Sequence, residues 1–525
     1  MDEQLTACLE QLRALAKTRV HCLSTAVEVD QIGQVLCNET TAVIREVLFD
    51  WNRSNSCWRL PPELFAASCR FLTLRELITV SHVSRSWRSA VLQFPALWSD
   101  IWIHSLMKSP QELLRSILER VGNCPLEVSY TVAGFSGGIA SSLPRHFPRR
   151  GLPVGNVLSD HMHHVRTLVW CDNFDATCFR VPAPLLTELR CEARTLIPED
   201  FLGGVCASLT TLSLEYLSLP AICPALSTVV TLSARLPTMM RDTANLPHLF
   251  EIFKKLESLS LRGEFSAYLD VLPPGPAPTT LRKLELVDYD ESTERAELFS
   301  RWKTDALKDV HLSVQGLPPA GDSSTLLQHA VTMALEHARS DANVEFTILT
   351  TTGSKHVLDV EWIEEDMEGD PLVLLSGFLC DNQANLQQLR SLRIPIHVLL
   401  QVEASPLSLP ALTELTVSIT DTDPEQSGDE DDELQAFETD AFAFVERHAV
   451  DLLTLNFVDP PTSPEGLKEF LSSIVNDYCF AGAEAKRPRI VLRGVPDTQL
   501  RACGLLDPTL GVLDVAAVLT RSTAA

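Results

Sequence analysis

Apolar residues follow two different rhythms along this chain. In the amino-terminal part they recur at spacings of three and four, as on a helix with one buried face. Leu5, Leu9, Leu12, Leu15 and Ala16 make one such stripe, and Val43, Ile44, Val47 and Leu48 a second. Over residues 60–103 helix punctuation divides the same period into short pieces. Pro61 and Pro62 stand where a first helix begins, at positions whose missing N–H is harmless. Glu63 falls in that first turn, where a carboxylate suits the helix dipole. Thr73 and Glu76 form a T-x-x-E capping box for a second helix. Val83, Trp87 and Val91 predict a third, which Pro95 stops. Another helix is expected over 110–124, with Leu113, Leu114, Ile117, Leu118 and Val121 on one side. A strand follows over 126–132, and then a loop over 134–155, rich in Gly, Ser, Pro and Arg.

Three short helices rich in Leu, Phe, Val and Trp cannot enclose all those side chains by themselves. Apolar surface must remain for another body to cover. The order of anchors is similar to that of an F-box. The family's Leu-Pro-x-Glu is matched by Leu60, Pro61 and Glu63, and Phe71-Leu72, Leu74 and Leu77 follow. Val83-Ser84-Arg85-Ser86-Trp87-Arg88 and Leu97-Trp98 complete the pattern, with Ser84 where the family usually has cysteine. The resemblance implies a receptor subunit of a Skp–cullin–F-box ubiquitin ligase. Its partners would be a Skp-type adaptor, through it a cullin scaffold, and a target protein whose identity the sequence does not name. By motif position the adaptor-facing residues are drawn from Leu60, Pro61, Pro62, Leu64, Phe65, Phe71, Leu72, Leu77, Val83, Trp87 and Trp98.

From Val165 onward the rhythm changes to alternation within short runs. An L-x-x-L-x-L pattern recurs at Val165-Leu168-Trp170, Leu186-Leu189-Cys191, Leu209-Leu212-Leu214, Val229-Leu232-Ala234, Leu256-Leu259-Leu261, Leu281-Leu284-Leu286 and Leu307-Val310-Leu312. The steps are 21, 23, 20, 27, 25 and 26 residues, inside the span of about 20–29 that leucine-rich repeats occupy. Further candidates start at Leu389, Leu412 and Leu452, and a strand over 344–348 fills part of the gap. The region resembles leucine-rich repeats, whose strands bury their leucines and stack to form a continuous core. The asparagine usual after the last leucine occurs only as Asn173, so the turns must satisfy their backbone in another way. Outward positions are Arg190, Ser213, Ser233, Ser260, Glu285, His311, Arg393 and Thr416, which should share one substrate-facing surface.

The expected fold class is therefore α+β: an N-terminal helical F-box region followed by an irregular leucine-rich-repeat-like α/β solenoid. The expected segments are N-terminal helices (1–59), F-box (60–105), repeat-like domain (106–420), acidic loop (421–438) and a terminal repeat or cap region (439–525). The loop, DTDPEQSGDEDDELQAFE, has no basic residue and repels itself. Its Ser427, before Gly-Asp-Glu, could suit a kinase that prefers acidic context.

Charge and candidate chemistry add exclusions. With 69 acidic against 43 basic residues the net charge is −26, which disfavours nucleic acid and anionic membrane surfaces. No run of about 18 apolar residues suggests a membrane span. The acidic start lacks a secretory pattern, and the 14 cysteines form no CxxC pair. Reduced thiols and a cytoplasmic or nuclear location are expected. Gly134-Phe135-Ser136-Gly137-Gly138 fits the G-x-S-x-G nucleophile elbow, but Pro144, Pro148 and Pro153 crowd the helix that the elbow needs. His161, His163 and His164 lie near Cys171, Asp172 and Cys178 without the spacing of a zinc site. Lys486-Arg487-Pro488-Arg489 is a basic turn or an import signal. No enzyme activity and no cofactor are expected. The competing reading is a leucine-rich scaffold that binds a partner without a ubiquitin role.

Overall fold

The computed structural model describes residues 37–47, 61–104, 107–131, 151–171, 177–192, 197–236, 245–289, 295–318, 320–337, 343–361, 371–403, 407–419, 450–458 and 489–493, with a few isolated positions. The chain divides into two compact units. One comprises Met1–Asp100 with Arg120–Gly122, and the other Ile101–Glu119 with Asn123–Ala525. Among the described residues no helix is long and apolar enough to cross a membrane.

In the first unit, residues 37–47 are helical and so contain Val43, Ile44 and Val47. The stripe from Leu5 to Ala16, together with Leu48 and Leu60, lies outside the described residues. Helix α1 spans Pro62–Cys69, α2 Leu74–Val83 and α3 Arg85–Leu92, followed by a 3-10 turn at Pro95–Trp98. Thr73 and Glu76 form the expected capping box, each side chain bonding the other's backbone N–H. Val83 was expected on the third helix and instead closes the second. The cause is Ser84, whose extended backbone ends α2 and whose hydroxyl accepts from the Trp87 N–H at 3.2 Å. A serine cap satisfies a donor that the new helix would leave orphaned. Arg88 Nε then donates to the Ser81 carbonyl at 2.9 Å, tying α3 to the end of α2.

Among the described residues sixteen strands form a single open sheet, which apart from Asp100 lies in the second unit. It begins with β1 (Asp100–His104), α4 (Pro110–Val121), β2 (Leu126–Thr131) and α5 (Gly151–Ser159). Helix α5 corrects the loop expected over 134–155 at residues 151–155, and residues 134–150 lie outside the described residues. Pro153 sits in its first turn, where a proline is tolerated. Strands β3 (Val165–Trp170), β4 (Glu188–Cys191), β5 (Thr211–Leu214), β6 (Thr231–Arg235), β7 (Ser258–Gly263) and β8 (Lys283–Asp288) follow in spatial order. After α6 (Ala296–Trp302) come β9 (Asp309–Gln315), α7 (Ala320–Leu327), β10 (Ala330–His337), β11 (Asn343–Thr350) and β12 (Lys355–Glu361). The remainder is α8 (Pro371–Asp381), β13 (Ser391–Pro395), α9 (Ile396–Glu403), β14 (Glu414–Ile419), β15 (Leu452–Phe457) and β16 (Arg489–Arg493).

Sequence order and sheet order agree except at one place. Strand β12 pairs parallel with β9, β11 pairs antiparallel with both β12 and β10, and β10 pairs parallel with β13. The strand expected over 344–348 is therefore the antiparallel member of this insertion. One other register needs correction. Leu453 pairs with Leu415, so buried Val450, not Leu452, stands at the position equivalent to Leu412.

Alternation explains the core. In β5 and β6 the even positions Leu212, Leu214, Leu232 and Ala234 are buried, while Thr211, Ser213, Thr231 and Ser233 are partly open. The turns satisfy their backbone without an asparagine ladder. Just before each strand a backbone N–H donates to the preceding turn: Thr187 to Arg166, Thr210 to Thr187, Val230 to Thr210, Glu257 to Val230 and Arg282 to Glu257. Side chains add a second line. Thr228 Oγ1 donates to the carbonyls of Cys206 and Leu209, and Thr280 Oγ1 to that of Leu256.

Candidate functional site

The amino-terminal helices sort the residues that the motif singled out. Leu77 and Trp98 are 3% and 1% exposed and leave the set of surface candidates. Both are long apolar side chains that the small unit needs for its own interior, and Trp98 Nε1 donates to the Val91 carbonyl at 3.2 Å. Phe65, Leu72 and Trp87 are half-buried, and Phe65 meets Trp87 edge-on with ring centroids 5.1 Å apart. Pro61 and Pro62 are exposed at the start of α1. Leu64 is 54% exposed, Val83 58% and Phe71 90%. Leu92, which the motif did not mark, is also exposed. Phe71 stands in the turn between α1 and α2, where no hydrogen bond or cap requires an aromatic ring. Large apolar side chains left this open on a small helical unit make this surface a candidate for contact with another protein.

The open face of the sheet carries the second set of candidates. Val169, Arg190, Ser213, Ser233, Ser260, Glu285 and His311 are successive register partners. The row crosses the insertion through Val357, Thr347 and Ala334 and resumes at Arg393 and Thr416. All eight residues expected to point outward thus lie on one lateral line. Arg190 and Arg393 are exposed, Ser260 is buried and the other five are half-buried. The face is charged in both senses. Arg190 pairs with Glu188, Arg393 with Glu336, and His311 approaches Asp359 at 3.3 Å.

The sites of possible metal or nucleophile chemistry give no comparable geometry. Among the described residues no three His, Cys, Asp or Glu side chains are placed to hold a metal ion. Cys171 Sγ donates to Glu192 at 3.0 Å. Burial pushes the Cys178 thiol up to about 12, so it is no ready thiolate. Asp172, Asn173, Ser427, the whole acidic run 421–438, Gly134 to Gly138, and Lys486, Arg487 and Pro488 lie outside the described residues. Arg489 opens β16.

His161, His163 and His164 do come together, with ring centroids 5.3 Å apart for His161–His164 and 4.5 Å for His163–His164. His164 is 3% exposed and neither of its ring nitrogens has a hydrogen-bond partner. Burial first, and then repulsion from the other two rings, holds its pKa below the ordinary imidazole value. His161 is lowered by burial and by His163, against Asp160. The unfolded chain binds protons on these groups near pH ~6.5, where the folded chain still resists them. Their neutral forms thus favour folding above that pH, and the contribution is lost as pH falls below it. The melting temperature should fall more steeply from about pH 7 to pH 5.5 in the natural chain than in His164→Phe. Equal slopes would remove His164 as a cause.

These features describe a class: a small helical unit with large apolar side chains exposed, in a chain whose other described strands form one open sheet. Residues 58–98 match the F-box domain family. The match suggests for this segment an adaptor-binding role of the kind F-box domains have in Skp–cullin–F-box ligases, whose F-box subunits are typically non-enzymatic receptors. No curated protein matches the chain.

Proposed function

We propose that this chain is the substrate-recognition subunit of a Skp–cullin–F-box ubiquitin ligase. Its F-box helices bind a Skp-type adaptor and through it a cullin. A leucine-rich-repeat-like solenoid, built on the sixteen-stranded sheet, binds the target protein. Such a receptor makes and breaks no bond. It raises the local concentration of a target beside a ubiquitin-charged enzyme. The observation that carries the reading is the F-box match over residues 58–98, on which Leu64, Phe71 and Val83 stand exposed. Support for the repeat reading comes from the parallel strands that follow each other in order at the spacing of the L-x-x-L-x-L motif.

The full chain, co-expressed with a Skp-type adaptor and a cullin, should co-elute with both. The variant L64D/F71D changes two exposed positions, so its fold should survive. Loss of two central apolar anchors should weaken adaptor binding by at least about 100-fold. Unchanged adaptor affinity in a folded L64D/F71D protein would sink the assignment. Adaptor binding without cullin recruitment would favour the scaffold reading.

A further inference from the structure

We infer that the open face carries a carboxylate-binding site centred on Arg235 and Arg262, which takes an Asp or Glu side chain of the target. The inference rests on the reading of this face as the target-binding surface, and it names the chemistry of the segment bound there.

Arg235 and Arg262 are direct register partners on β6 and β7. Like charges opposite each other on neighbouring strands repel and weaken a sheet. Nothing in the local fold offsets this with good hydrogen bonds. Arg235 reaches Glu215 at 3.6 Å and Arg262 reaches Glu285 at 3.9 Å, both too long for a guanidinium–carboxylate hydrogen bond. Among the described residues neither guanidinium donates one. Their side chains are 43% and 53% exposed, so the donors are within reach of a ligand.

The surroundings hold one of the pair in place. Arg235 lies over the rings of both Tyr216 and Tyr289, at 5.9 and 5.8 Å from their centroids. Contact with ring faces orients a guanidinium without consuming its N–H donors. Ser260 supplies an independent sign. It precedes Arg262 by two residues on the same face of β7 and is 8% exposed, yet its hydroxyl has no hydrogen-bond partner. A buried hydroxyl left unbonded is costly and calls for an explanation. An anion held at Arg262 gives this hydroxyl an acceptor once its side chain turns outward on the same face.

Charge selects the ligand. Within the ion pairs here three cations, Arg235, Arg262 and Lys283, face two carboxylates, Glu215 and Glu285, an excess of one positive charge. One carboxylate neutralises it, whereas a phosphate monoester carries nearly two negative charges and overshoots. On a chain with net charge −26, a locally positive patch also orients an acidic segment as it approaches.

The test uses the full chain and three peptides, N-acetylated and C-amidated, identical except for one central glutamate, glutamine or phosphoserine. Binding is followed by ligand-observed NMR. The glutamate peptide should bind at least about tenfold more tightly than the glutamine peptide. R235Q/R262Q should remove that preference, and S260A should reduce it. R180Q, which deletes an exposed cation in the turn Thr177–Arg180 and off this row, should leave it unchanged. Absence of glutamate binding, equal binding of glutamate and glutamine, or an unaltered preference in R235Q/R262Q would overturn the inference. Tighter binding of the phosphoserine peptide would overturn the carboxylate assignment. Adaptor affinity is measured on the same samples and should not differ between the natural chain and R235Q/R262Q. If the natural chain fails to bind adaptor but prefers glutamate, the ligase reading falls and the site stands.

Discussion

Replacing Arg295 by Met should destabilise the sheet unit by about 3–5 kcal/mol. Arg295 and Asp322 are fully buried and Asp288 is 1% exposed. Arg295 Nε donates to Asp288 Oδ2 and Nη1 to Asp322 Oδ2, both at 2.8 Å, while Nη2 also donates to Asp288. The carboxylates have further work. Asp288 Oδ1 accepts from the Phe265 N–H, and Asp322 Oδ1 from the Arg295 N–H. The cluster thereby ties the end of β8 to the start of α6 and the first turn of α7. Methionine fills much of the volume but takes from both buried carboxylates the guanidinium that bonds them. Lysine should rescue little, because an ammonium cannot reproduce the fork that reaches both acids. Adding D288N and D322N should recover part of the loss, since the buried charges that lost the guanidinium go. Urea unfolding of the purified chain reads the effect. A change below about 0.5 kcal/mol in R295M would show that the triad contributes no more than an exposed pair.

Trp98→Ala should cost about 3–5 kcal/mol within the helical unit. The indole is almost completely enclosed, its N–H is bonded to the Val91 carbonyl, and the Arg120 guanidinium lies 5.0 Å from its ring. Truncation opens a large cavity and frees the end of α3 from the turn at Pro95–Trp98. Adaptor binding should disappear along with resistance of this segment to proteolysis. L64D/F71D should instead lose the adaptor while remaining resistant. If Trp98→Ala resists protease like the natural chain, the ring is not the keystone of the unit.

The contrast between these side chains shows what could be read from the residues alone. Helix punctuation was legible because Pro61, Pro62, Thr73 and Glu76 act within one turn of their own position. Strand register was legible because an error of one residue would turn every leucine to the open side. Other features were hidden for identifiable reasons. Buried Ala330, Met333 and Leu335 in β10 keep the repeat spacing, but Ala and Met blur the leucine signal. Strand β12 and the residue before it bury Ser354 and His356 beside Leu358 and Val360, a mixture without an apolar signature. Gly151, Pro153 and Gly155 disguised α5 as a loop. The partners of Arg295 lie 7 and 27 residues away, at distances where no local pattern operates. Motif position named Leu77 and Trp98 alongside Phe71, and only packing separates the two inside from the one outside. Arg235 and Arg262 follow from the same register that aligned the outward row, two places further along each strand.

The excursion between β9 and β13 has a consequence for how such a sheet can change in length. Strands β12 and β10 run the same way as their outer neighbours and only β11 is reversed, so the antiparallel pair β11–β12 is a fold-back lodged between β9 and β10. Strands inserted or excised two at a time leave the polarity of everything downstream untouched. A lone strand added by a hairpin turn would invert it. Growth by twos lets this sheet acquire new surface in mid-array while β13 to β16 keep their heading.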